Sequence, residues 1–180
     1  LAENVNGTDL FPVLCKAAAA SRVAIYLLGG AEGIAGRSAK YMAESVPGLD
    51  VAGTRCGYFA NAAEEQAAID AINASGAEIL LVGMGVPLQE AWIARNRTRL
   101  RPAVIIGVGG LFDYYSGRIA RAPSLLRSLS LEWAWRLAME PRRLARRYLL
   151  GNVEFLARLA FLRLLAPVEI KSPPATVPAV

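Results

Sequence analysis

The sequence contains no histidine. That removes imidazole acid–base chemistry and imidazole metal ligation together. Cysteine is nearly absent as well. Cys15 and Cys56 stand far apart and match no zinc spacing, so they read as ordinary thiols rather than as a disulfide. No Asp-x-Asp pair occurs anywhere, so a metal-chelating carboxylate motif for a nucleotide diphosphate is not visible. Lysine is scarce, since 17 of the 20 basic residues are arginine, the cation suited to bidentate phosphate contacts. No stretch of about 18 uninterrupted apolar residues is present; the nearest, Phe155 to Val168, is broken by Arg158 and Arg163. A start methionine and a basic, apolar, small-residue leader are also missing ahead of Leu1, which gives the expectation of a piece whose N-terminal part lies elsewhere.

What is there suits a folded domain with an appendage. The chain has 180 residues, is 54% hydrophobic and carries a net charge of +5, enough apolar material for a sizeable core. Helical spacing covers 10–21, an apolar run follows over Arg22–Leu28, and Gly29 and Gly30 end it. Ala31–Ser45 reads as helix, Leu49–Ala52 as a short strand, Ala62–Ala74 as helix, Glu78–Val82 as strand, Pro87–Arg99 as helix and Ala103–Ile106 as strand. Strands alternating with helices predict an α/β fold, a Rossmann-like parallel sheet flanked by helices. Residues 1–122 would form this α/β domain, 123–170 a helical basic appendage, and 171–180 a Pro-rich disordered tail. The appendage region is the most basic part of the chain, with ten basic and four acidic residues between Arg121 and Lys171.

Two strand-then-glycine segments are the most informative motifs. One carries Gly83, Gly85, Pro87, Gln89 and Glu90; the other carries Gly107, Gly109, Gly110 and Asp113. Glycines at the carboxyl end of a parallel strand let a ligand approach the backbone, and the helix that follows favours an anion at its N-terminus. Together the two ends predict one site for a phosphorylated ligand. Gln89 both donates and accepts hydrogen bonds, which suits a sugar hydroxyl or a uracil edge, and Asp113 suits a sugar or ribose hydroxyl. The plainer alternatives stay open: a helix-start motif at Gln89, a helix-capping Glu90 that complements the helix dipole, a helix N-terminal carboxylate at Asp113. Gly29 and Gly30 lack the spacing of a full dinucleotide fingerprint and fit a tight turn equally well. Arg118 faces either a phosphate or solvent.

Arg142, Arg143, Arg146 and Arg147 repeat at i, i+4 and so share one helical face. With Trp133, Trp135, Leu144 and Tyr148 nearby, the segment reads as an interfacial helix drawn to anionic lipid, or as a solvated basic face on a packing helix. Nucleic acid is the weaker partner, because no recognisable nucleic-acid module accompanies the cluster.

These residues resemble the WecG/TagA/CpsF family of bacterial glycosyltransferases, glycosyltransferase family 26. The likeness runs through Asn6 to Phe11, which includes Asp9, then Leu27 to Gly30, Pro47 to Leu49, Gly53 with Thr54, and Gly57 to Phe59. It continues through Gly83 to Ile93, Arg95 to Arg97, Gly107 to Asp113, Gly117 with Arg118, and Arg121 to Pro123. It ends in Leu131 to Trp133, Glu140 to Arg143, and Arg147 to Leu149. The resemblance implies an inverting, metal-independent transfer of a sugar (N-acetylmannosamine, its uronic acid or glucose) from a UDP-sugar donor. The acceptor would be a polyprenyl-diphosphate-linked sugar in cell-surface polysaccharide synthesis. It implies a cytoplasmic protein, peripheral on the inner face of the bacterial plasma membrane, with the arginines of the appendage and Arg118 toward membrane and diphosphate. Asp9, Gly29, Gly30, Gly83, Gly85, Pro87, Gln89, Glu90, Gly109, Gly110 and Asp113 are its implied substrate-binding positions. Self-association into a homo-oligomer stays open.

The chain also departs from the family pattern. The family's proposed catalytic base, the Asp of an Ala-Asp-Gly motif, would lie upstream of Leu1. Asn4 stands where the family usually has Arg, and Leu88 where Lys is common. The alternative to an active transferase is therefore a catalytically incompetent fragment that binds a nucleotide-sugar or lipid. A sheet without its N-terminal strands would leave an apolar edge or face uncovered.

Overall fold

A computed structural model describes residues 7–123, 125–126, 131–141 and scattered positions between 144 and 161. The chain divides into two units between Arg121 and Ala122. The first unit runs α1 (Gly7–Ser21), β1 (Ile25–Gly29), α2 (Ile34–Ser45), β2 (Val51–Arg55), α3 (Ala62–Ala74), β3 (Ile79–Gly83), α4 (Leu88–Asn96), a 3-10 turn (Arg97–Arg99), β4 (Val104–Gly107) and α5 (Leu111–Tyr115). All four strands are parallel, in the order β2-β1-β3-β4. This is the Rossmann-like α/β architecture that the alternation of elements predicts.

The two central strands are buried on both faces, so β1 and β3 read as unbroken apolar runs. Because side chains alternate along a strand, each run feeds two cores. Ile25, Leu27 and Leu81 face Phe11 and Cys15 of α1, Ile34 and Met42 of α2, and Phe112 of α5. Tyr26, Leu28, Leu80 and Val82 face Ile69 and Ile72 of α3 and Trp92 of α4. Such a split across the sheet is what right-handed crossovers require when the winding direction reverses. Chain order moves outward from β1 to β2, then returns past β1 to β3 and β4.

Element boundaries shift from the expected ones for local reasons. β1 starts at Ile25 rather than Arg22, because α1 continues to Ser21 and Arg22 closes it with φ 55°. The Val23 N–H then returns to Ala18 O at 2.9 Å. α2 starts at Ile34 rather than Ala31, since Gly33, at φ 75°, holds a turn ahead of it. β2 reaches to Arg55: Gly53 pairs with Tyr26, and a Cβ there would lie 2.5 Å from the Tyr26 ring, so only glycine keeps the strand flat beneath it. α4 gives way to the 3-10 turn at Asn96, whose buried amide donates to Trp92 O at 3.1 Å and to Glu65 Oε1 at 3.0 Å. A short amide side chain bonding to its own helix competes with continued α-geometry.

In the second unit, α6 (Glu132–Met139) is entered by a Leu131 N–H bond to Leu126 O at 2.8 Å and carries an Arg136–Glu140 ion pair at 3.6 Å. No helix among the described residues is long and apolar enough to cross a membrane.

Candidate functional site

Winding direction reverses between β1 and β3, and at such a point the loops beyond the strand ends diverge and leave a crevice. Four glycines make its floor. Gly30 N donates to Gly83 O at 2.9 Å, and Gly57 N donates to Gly30 O at 3.0 Å. A Cβ on Gly29 would sit 2.4 Å from Gly83 O, and one on Gly57 would sit 2.9 Å from Gly29 Cα. No side chain fits between these backbones, so the floor is peptide. The expectation for Gly29 and Gly30 left a tight turn and a ligand approach both open; the contacts give Gly29 the close-packing role.

The loop after β3 turns at Gly85, with φ 80°, and passes through Pro87 into α4. The backbone N–H of Gln89 returns to Gly85 O at 3.0 Å. β4 pairs with β3 with Val82 opposite Gly107, which sets the loop of Gly107–Gly110 beside the loop after β3. Gln89 joins the two. Its Oε1 accepts from the Gly109 N–H at 2.8 Å, its Nε2 donates to Glu90 Oε1 at 2.8 Å, and it is buried.

Asp113 follows in α5. Its backbone N–H bonds to Gly110 O at 3.3 Å, so it flanks the same glycine loop from the other side. The side chain is buried, and Oδ1 accepts from Arg118 Nη1 at 3.0 Å. Arg118 thus lies on the Asp113 carboxylate, a partner that sequence spacing did not suggest. Gly83, Gly85, Pro87, Gln89, Glu90, Gly109, Gly110 and Asp113 gather around the ends of β3 and β4, and Gly29 and Gly30 meet them through Gly83.

Asp9 belongs elsewhere in the same unit. It pairs with Arg121 at the first turn of α1, where the Tyr115 hydroxyl also donates to Thr8 O at 2.5 Å. Burial raises the Tyr115 phenol above its ordinary value against the opposing pull of Arg121, so it stays protonated and able to donate. Beside this contact a cavity of about 510 Å³ opens among Pro12, Lys16, Tyr41, Ser45 and Tyr115. A smaller one of about 250 Å³ lies between Leu10, Leu14, Ile106 and Val108. Arg142, Arg143, Arg146 and Arg147 lie outside the described residues. Among the described residues no three Asp, Glu or Cys side chains gather to hold a metal ion.

Sequence reasoning missed two supports of the site. Ser38 donates its hydroxyl to Phe112 O at 2.8 Å, tying α2 to α5. Gly107 is the seat of Gln89, since a Cβ there would lie 2.7 Å from Nε2. Gly107 was visible as one glycine of a run, but nothing in the run marked which side chain it admits.

The reversal of the parallel sheet thus brings together a peptide floor and two glycine loops, with Gln89 and Asp113 beside them. Residues 1–167 match the model of the Glycosyl transferase WecG/TagA/CpsF family, and the chain belongs to that family of glycosyltransferases.

Proposed function

We propose that the crevice at the ends of β1, β3 and β4 takes a UDP-sugar, whose sugar passes with inversion to a polyprenyl-diphosphate-linked acceptor at an anionic membrane surface. The observation that carries this reading is the side-by-side placement of the Gly83–Gly85 and Gly107–Gly110 loops over a peptide floor. Open backbone at strand ends suits a diphosphate, which approaches N–H groups too closely for side chains to intervene. The Asp113 carboxylate, held by Arg118, is the group this reading assigns to a sugar or ribose hydroxyl. The reaction needs no metal in this reading, in keeping with a sequence without histidine or Asp-x-Asp. The acceptor remains in the bilayer, so the protein must come to it, and the four clustered arginines of the appendage supply the attraction. N-acetylmannosamine, its uronic acid and glucose are the candidate sugars.

Transfer of radiolabel from each UDP-sugar to a polyprenyl-diphosphate-linked acceptor tests the proposal. Label in the lipid fraction that falls with Asp113→Ala supports it. UDP binding without transfer from any donor favours a non-catalytic binding module instead.

A further inference from the structure

We infer that Gln89 acts as a positioning residue that fixes the Gly107–Gly110 loop against α4, rather than as a group that touches the donor. The inference rests on the donor-site reading above and changes the role of one residue within it. Gln89 is only 4% exposed. Its backbone N–H is held by Gly85 O at 3.0 Å, which locks the residue to the loop after β3. Its side-chain oxygen takes the Gly109 N–H at 2.8 Å, and its nitrogen gives a proton to Glu90 Oε1 at 2.8 Å. Both ends of the amide are therefore engaged within the protein.

The seat for that amide is built by the absence of a side chain. A Cβ on Gly107 would lie 2.7 Å from Nε2 and 3.2 Å from Cδ. Gly109 stands at φ 58°, in the left-handed region that favours glycine. One glycine makes room for the amide and the other carries the N–H that the amide holds. Asp113 is bonded to Gly110 O through its own N–H, so the place of the carboxylate depends on the loop that Gln89 holds.

The test uses the whole chain, UDP as the probe and two readouts: NMR amide exchange at Gly109, and UDP affinity by calorimetry. Gln89→Met keeps the volume and removes both bonds. It is expected to speed Gly109 exchange and weaken UDP together, each by about tenfold, since orphaning a buried donor is costly. The pair Gln89→Glu with Glu90→Gln exchanges the two side chains and keeps the bonding chain, because a carboxylate still accepts from Gly109 and an amide still donates to it. The first turn of α4 tolerates that carboxylate.

Positioning expects the exchanged pair to recover both readouts to within about threefold of wild type, as coupled neighbours do. A donor contact made through the Gln89 N–H would not be recovered. Gly107→Ala presses on the amide from the opposite side and is expected to reproduce Gln89→Met, which covers the case where that variant folds poorly. Weaker UDP binding with Gly109 exchange unchanged overturns the inference, and so does faster exchange with UDP binding unchanged. Wild-type protein that fails to bind UDP overturns the donor-site reading instead, and the exchange arm reads the loop clamp by itself.

Discussion

Gly29 shows how far a single residue constrains the molecule. Its Cβ position falls 2.4 Å from Gly83 O and 2.6 Å from Gly83 Cα, backbone atoms that cannot swing aside as a side-chain tip would. Gly29→Ala must separate β1 from β3 at the floor of the crevice. A loss of about 3 kcal/mol or more is expected from overpacking with backbone displacement, read as a lower denaturant midpoint; a stability change under 1 kcal/mol would contradict the packing described. Cys15 gives a residue-scale pH effect. It is fully buried, and burial pushes its thiol up from 9.0 to about 12. The folded state therefore holds the thiol proton more tightly than the unfolded chain. That contribution is complete below pH 9 and is lost as pH rises toward 12. Stability should fall across this window, and less so in Cys15→Ala. At neutral pH a thiol reagent should label the partly exposed Cys56 first and Cys15 only on unfolding.

At the scale of elements, α3 was the most legible. Asn61 caps it, its Oδ1 accepting from the Glu64 N–H at 2.9 Å, while Glu64 Oε2 accepts from the Ala60 N–H at 2.8 Å. The bounds of α3, Ala62–Ala74, are those that helical spacing predicts, and both capping bonds are local to its N-terminus. Asn61→Ala is expected to cost about 1 kcal/mol, seen as a lower melting temperature with the crevice intact. The ends of α4 and β2 were less legible, because what sets them is distant in sequence. Asn96 ends α4 through Glu65 of α3, and Gly53 extends β2 by lying under Tyr26 of β1. The same holds for the site. The glycine-ended strands and the hydrogen-bonding capacity of Gln89 could be read from the sequence. Its partner Gly109 and the Arg118 bond to Asp113 could not, since both depend on how loops fold back on each other.

The chain joins a unit built on a parallel α/β sheet to a basic C-terminal unit that begins at Ala122. Arg142, Arg143, Arg146 and Arg147 give that unit four positive charges at helical spacing, each worth about 1 kcal/mol near an anionic surface. Replacing all four by glutamine should release the chain from anionic vesicles and leave its circular dichroism unchanged. Salt should weaken the wild-type attachment as the Debye length shrinks. Equal sedimentation of both proteins across a salt series would leave the arginines a solubilising role only. The central claim, however, concerns the crevice. Titrating the chain with UDP and following backbone amide shifts by NMR tests it most directly. Shifts that saturate and concentrate on Gly83, Gly85, Gly109 and Gly110 are the expected result; shifts centred instead on Lys16, Tyr41 and Tyr115 would contradict it.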